Sequence, residues 1–283
     1  MSESNNGDTV AMDDRKLKER AFGDQRMRDR ENLSEENFSK RYANRRFYSI
    51  SRKSNEYLAR LYSDNVKGKL ALNYCCGTGV VSVPLAKAGA QVFGIDISPG
   101  SVAAAKATVE EAGLGDSCEH MVMDAENMDF PDSHFDIIVC SGVLHHLDLT
   151  KAFPELCRVL KPGGRIICSE PLKFNPLIQL YRRLTPDIRT SWEIDHILGL
   201  KEFRLAKQYF RMDKVRCFNL LTIMAVPLRK FGIFEYVLAI LEALDRVVLS
   251  IPAVRLIAWV IIFELTDPKK DASPSSTGNS KLN

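Results

Sequence analysis

Between about residues 70 and 171, five short apolar runs alternate with helical stretches: "KLALNY", "QVFGID", "CEHMVM", "FDIIVCS" and "GRIICSEP". Each run is continuously apolar rather than alternating. A strand of that kind must be covered on both faces, and a strand–helix–strand repeat supplies the cover as a parallel sheet between helix layers. This rhythm constrains the chain to an α/β architecture more tightly than its length of 283 residues does. The stretch "SPGSVAAAKATVEEAG" shows how one such helix is specified. Ser98 stands at the N-cap, Pro99 in the first turn where its missing N–H is harmless, and Gly113 just past the end.

The flanks read differently. Residues 1–14 are polar and expected to form a disordered tail, and 15–64 a helical arm. The core is expected over 65–171. Residues 172–268 are expected to hold a lid, a helical insertion and the last two strands, at about 214–220 and 256–265, and 269–283 a second tail. The apolar stretch 247–263 is shorter than the roughly 20 residues a membrane span needs, and Pro252 and Arg255 break it. "AWVIIFEL", residues 258–265, has the β-branched and aromatic content of a buried strand.

A net charge of +3 is too small to argue for a nucleic-acid partner. The basic residues crowded into 13–53 are interleaved with acids and read as a solvated helical face. The seven cysteines include no CxxC spacing, so no zinc or other metal site is expected. "SESNNGDTV" after Met1 has neither a basic start nor an apolar stretch, and with the odd cysteine count it gives the expectation of a reducing, cytoplasmic setting.

The chemistry is concentrated at the ends of the strand-like runs. "ALNYCCGTGV" places Gly77 and Gly79 at a strand-to-helix turn, where the backbone can approach a ligand and a helix N-terminus offers unpaired N–H groups. The next run ends in Asp96, about 20 residues on, where a carboxylate accepts both ribose hydroxyls. The third run leads into Asp124 and Ala125, placed to meet an adenine edge. Together these indicate an adenosine-containing cofactor. The dinucleotide fingerprint asks for a third glycine where this chain has Ser82, which weighs against a nicotinamide-dependent oxidoreductase.

The signals "LNYCCGTG", "VFGIDIS", "VMDAENMDF", "FDIIVCSGVLHHL" and "RVLKPGGRI" follow one another at ordinary spacing. In that order they resemble the core of a class I S-adenosylmethionine-dependent methyltransferase of the small-molecule, lipid or quinone group. The resemblance implies a Rossmann-like, doubly wound, mostly parallel seven-stranded sheet with an antiparallel last strand, an N-terminal helical arm and a C-terminal helical insertion. It implies S-adenosyl-L-methionine as cofactor and S-adenosyl-L-homocysteine as product. Gly77, Gly79 and the backbone of Ser141 would line the methionine part. Asp96 would bind the ribose, Ile97 would pack on the adenine, and Asp124 with Ala125 would read its edge.

Asn73 stands where the family has an acid, and Cys75 where it has glycine. Asn73 keeps a hydrogen bond but loses the charge that pairs with the cofactor's amino group. Cys75 fits the turn only with a negative φ. Weaker cofactor binding is therefore expected.

Tyr42, Tyr48 and Tyr181 are candidates to close the site. His145 is the candidate side chain nearest the acceptor, with His146 as its structural neighbour, and His196 and Glu170 are the other catalytic candidates. The acceptor is expected to be a hydrophobic small molecule or lipid-like. The apolar insertion over 221–253 would line its cavity or make a peripheral membrane contact edged by Arg229, Lys230 and Arg246. The alternative is a cofactor-binding regulatory protein without turnover, which Asn73 and Cys75 keep open.

Overall fold

The computed structural model describes residues 13–41, 45–185, 192 and 196–270. The tails expected over 1–14 and 269–283 thus lie almost entirely outside the described residues, as does Tyr42. The arm starts earlier than expected, because the Asp13 side chain accepts from the Lys16 N–H at 2.9 Å and caps the first helix. That arm comprises α1 (Asp14–Asn32), α2 (Glu35–Arg41), α3 (Arg45–Tyr48) and α4 (Arg52–Ser63).

The core runs β1 (Leu70–Tyr74), α5 (Ser82–Lys87), β2 (Gln91–Asp96), α6 (Pro99–Glu111), β3 (Cys118–Val122), β4 (Phe135–Ser141), α7 (Leu149–Val159) and β5 (Leu160–Pro171). Then come α8 (Pro176–Leu184), α9 (Leu200–Tyr209), β6 (Arg211–Phe218), α10 (Phe234–Val248), α11 (Pro252–Arg255) and β7 (Val260–Thr266). The seven strands form one sheet in the order β3-β2-β1-β4-β5-β7-β6. Strands β1 to β5 pair in parallel, and β7 runs antiparallel between β5 and β6.

The unbroken apolar strands are explained by the two faces of this sheet. Leu72, Tyr74, Ile138, Cys140, Ile166 and Cys168 point into one core with α7 and α9. Ala71, Ile137, Val139 and Ile167 point into another with Leu61 and Tyr62 of α4 and Leu85 of α5. A third, smaller cluster joins Phe47 and Ile50 of the arm to Ile178 of α8 and Phe234 and Leu238 of α10. Among the described residues no helix is long and apolar enough to cross a membrane.

Two expected boundaries move. The sixth strand begins at Arg211 rather than 214, and the last begins at Val260 rather than 256. Pro252 opens the short helix α11, which carries the chain through 255 before the strand can start. The β1 edge of the turn that follows it rests on a buried polar chain. Asn73 Nδ2 donates to Ser82 Oγ at 3.0 Å, and Ser82 Oγ lies 2.9 Å from His120 Nε2. Gly94 makes room for it, since a Cβ at that position would overlap the His120 ring. Gly94→Ala is therefore expected to cost about 2 kcal/mol of stability, read as a lower urea midpoint. An unchanged midpoint would show that the ring swings clear at no cost.

Candidate functional site

The strand order reverses between β1 and β4, so a crevice opens at the carboxyl ends of these strands. It holds a cavity of about 560 Å³, within the range of small-molecule sites. Its floor is the turn after β1. Cys76 N–H donates to Ile95 O at 2.7 Å, and Gly79 N–H to Cys76 O at 2.9 Å. The chain passes through the left-handed region at Cys75 (φ 53°), Gly77 (φ 52°) and Gly79 (φ 74°).

Cys75 departs from the expectation of a negative φ. The turn is tight enough to hold a non-glycine residue in a conformation that costs roughly 1–2 kcal/mol. Burial also pushes its thiol well above the usual cysteine range. A Cβ on Gly77 would meet nothing within 4 Å, so the turn leaves an open cradle there. Gly79 does different work: a Cβ would sit 2.9 Å from Ala105 Cα, so it packs against α6 instead of lining the cavity.

Asp96 ends β2 beside this floor. Its Oδ2 accepts from Gly77 N–H at 3.0 Å and its Oδ1 from Ser98 N–H at 2.9 Å. Burial raises its carboxyl above the ordinary value, while these two N–H groups pull it back. Asn73, Ile97, Ser141 and Tyr48 line the same cavity, as do Asp124 and Ala125. Tyr74 sets the position of the last two, because its fully buried hydroxyl donates to Ala125 O at 2.7 Å. Ser141 is braced from below by Tyr62, whose phenol burial pushes up to about 12 against its hydrogen bond to Ser141. Tyr181 packs on Phe47 at 4.9 Å between ring centres, away from the cavity lining.

The two histidines exchange the places expected of them. His145 turns inward, its Nδ1 2.7 Å from Glu170 Oε2, and His146 lines the cavity. Glu170 does not face the cavity either. It is 1 % exposed, and its Oε1 accepts from the Val143 and Leu144 N–H groups at 2.8 and 2.9 Å. Glu170 therefore anchors the turn after β4. The reason is geometric: two adjacent residues on a 3-10 turn point in different directions, and the buried carboxylate captures the first. His196 stacks on Trp192 at 3.6 Å, outside the cavity lining.

Sequence reasoning missed α1. Lys16 Nζ lies 2.6 Å from Asp124 Oδ2 and 3.0 Å from Glu126 Oε2, and Arg15 reaches Glu126 at 2.6 Å. Burial opposes the Lys16 charge, but the hydrogen bonds to Asp124 and Glu126 outweigh it and hold the ammonium above its usual range. Arg15 also donates to His146 O at 3.0 Å and lies over the Trp192 ring at 5.0 Å. Asp24 accepts from Ser98 Oγ at 2.7 Å and Gly100 N–H at 3.1 Å. The charged run read as a solvated face thus straps across the Asp124–Glu126 end of the cavity. Glu19, on the same helix, pairs with His146 at 3.2 Å. Among the described residues no cluster of His, Cys, Asp and Glu is arranged to hold a metal ion.

The cavity suits an S-adenosyl ligand. It has an open glycine cradle, a buried carboxylate at the β2 end and an acid–amide edge after β3. Comparison with known proteins agrees. Residues 72–168 match the methyltransferase domain family. A ubiquinone biosynthesis O-methyltransferase of Cereibacter sphaeroides is 35% identical over 111 residues, 39% of this chain and 44% of that protein. The sterol 4-C-methyltransferase strm-1 of Caenorhabditis elegans is 33% identical over 114 residues, 40% of this chain and 33% of its own length. The chain thus spans less than half the length of these curated relatives. Among solved structures, the PH0226 protein of Pyrococcus horikoshii OT3 superposes with a TM-score of 0.52 at 22% identity, covering 78% of this chain and 91% of that one. A geranyl diphosphate C-methyltransferase from Streptomyces coelicolor A3(2) does so with a TM-score of 0.55 at 15% identity, covering 75% and 79%. Residues 72–168 are thus similar to the methyltransferase domain of the class I S-adenosylmethionine-dependent methyltransferases.

Proposed function

We propose that the chain transfers a methyl group from S-adenosyl-L-methionine to a hydrophobic small-molecule or lipid-like acceptor by in-line displacement. The observation that carries this reading is the convergence of the Gly77 cradle, Asp96 and the Asp124–Ala125 edge on one cavity. The bound cofactor supplies an activated methyl group on a sulfonium. The protein's part is then alignment and exclusion of water. Asp96 would hold the ribose, and Asp124 with Ala125 the adenine, after Lys16 gives up its place on Asp124. Where the acceptor is a hydroxyl, the His146–Glu19 pair is the acid–base couple in the cavity lining. His145 and Glu170 would position that turn. The hydrophobic acceptor class is supported by relatives named for ubiquinone, sterols and demethylmenaquinone.

Asn73 is buried and donates to Ser82, so it offers the cofactor's amino group no charge. Asn73→Asp is expected to tighten S-adenosylhomocysteine binding about fivefold to tenfold, since a partly buried ion pair contributes on the order of 1 kcal/mol. An unchanged dissociation constant by calorimetry would remove Asn73 from the account. No detectable binding by the native chain would overturn the proposal and leave the regulatory reading in its place.

A further inference from the structure

Helix α10 carries two apolar faces. Phe234, Leu238 and Leu241 turn inward onto the third cluster. Tyr236, Ala239, Ile240, Ala243, Leu244 and Val247 turn outward, and Tyr236 is 74% and Val247 67% exposed. At 100° per residue, these six cover roughly 140° of arc with no charge among them. Glu235, Glu242 and Arg246 are confined to one flank. Exposed Phe231 and Ile233 extend the stripe before the helix, and Ile251 after it. A helix apolar on both faces is built to be covered on both.

The charged flank borders a second cavity of about 460 Å³, between α4, the end of β6 and α10. Its acids are all engaged internally. Glu242 pairs with Arg52 at 2.7 Å and Glu56 with Lys53 at 2.8 Å, while Asp245 accepts from the N–H groups of Leu220, Leu221 and Thr222. Its cationic side chains, Lys53, Arg60, Arg216, Arg246 and Arg255, outnumber its acids, Glu56, Glu242 and Asp245. Arg60, Arg216 and Arg246 make no ion pair within 4 Å among the described residues. Arg216 lies over the Tyr57 ring at 4.7 Å, and Arg255 donates to the Leu249 and Ser250 carbonyls. An exposed apolar stripe therefore lies beside a pocket in which three guanidinium groups stand outside any ion pair within 4 Å among the described residues. Arg229 and Lys230 add positive charge at the start of the helix.

We propose that this face docks on an anionic lipid bilayer, with the outer stripe of α10 in the interface and the arginine-lined cavity receiving a headgroup phosphate. Charge complementarity selects this occupant. Apolar insertion beside cationic side chains matches an anionic surface, whereas twofold pairing with a second copy would set the same arginines against each other. The docking surface stands independently of which acceptor is methylated.

The test is sedimentation of the full chain with phosphatidylcholine vesicles, with and without phosphatidylglycerol. Binding to the anionic vesicles is expected, weakened by salt, and little to the zwitterionic ones. The double variant Ile240→Glu, Val247→Glu should lower the partition coefficient at least tenfold. Arg216→Ala and Arg246→Ala should each lower it about fivefold. Thermal melts and S-adenosylhomocysteine titration check that the variants are folded. The native chain remaining in the supernatant with anionic vesicles overturns the proposal, as does equal binding to both vesicle types. A dimer by light scattering that the double variant dissociates also overturns it, because the face then belongs to a second copy.

Discussion

Asp96→Ala is expected to weaken S-adenosylhomocysteine binding about a hundredfold. Hydrogen bonds to a charged acceptor contribute about 1.5–3 kcal/mol each, and two ribose hydroxyls would share this carboxylate. A loss of about 3 kcal/mol corresponds to roughly two decades in the dissociation constant. The same carboxylate holds Gly77 and Ser98 through their N–H groups, so the variant also loosens the turn that forms the cavity floor. Asp96→Asn keeps the shape and one acceptor and should fall between the two. A tenfold effect or less, measured calorimetrically, would show that Asp96 braces the turn without touching ligand.

The pH response of Asp96 has two parts of opposite sign. Its carboxyl is raised above 3.8, chiefly by burial. Affinity should therefore start to fall, on acidification, at a higher pH than for an exposed carboxylate. Stability moves the other way. The folded chain holds this proton more tightly than the unfolded chain, so the contribution of Asp96 to stability rises as pH drops through its folded value.

Glu170→Ala is expected to lower the unfolding free energy by about 3 kcal/mol or more. It would leave the Val143 and Leu144 N–H groups and the His145 ring buried without their acceptor, and each such group costs about 1–3 kcal/mol. Glu170→Gln keeps the volume and one acceptor and should lose about half as much. Urea unfolding of both variants measures this. A loss below about 0.5 kcal/mol for the alanine variant would mean that the turn after β4 is held by something else.

The central strands β1, β4 and β5 were legible because they are buried on both faces, and Asp96 because it ends their neighbour β2. The glycine turn was legible as a turn but not in its detail, since Cys75 adopts a left-handed φ of 53° in spite of its side chain. The histidine pair was legible as a pair. Which ring turns inward depends on Glu170, 25 residues away on another strand. The α1 strap was invisible to local reading, because Lys16 and Asp124 lie 108 positions apart and Arg15 and His146 131. A charged helix carries no local mark that tells a solvated face from one matched to distant carboxylates. The insertion's apolar content was plain, but only the folded α10 separates its inward face from its outward one.

Methyl transfer to a hydrophobic acceptor can be measured as the appearance of a labelled product. The direct measurement incubates the purified chain with methyl-labelled S-adenosylmethionine and a membrane lipid and quinone extract. The organic phase is then assayed for label and the aqueous phase for S-adenosylhomocysteine. Label is expected in a product heavier by one methylene unit, matched by S-adenosylhomocysteine and abolished in Asp96→Ala. Tight S-adenosylhomocysteine binding with no label in any organic fraction would contradict it, and would make the chain a cofactor-binding protein without turnover on such acceptors.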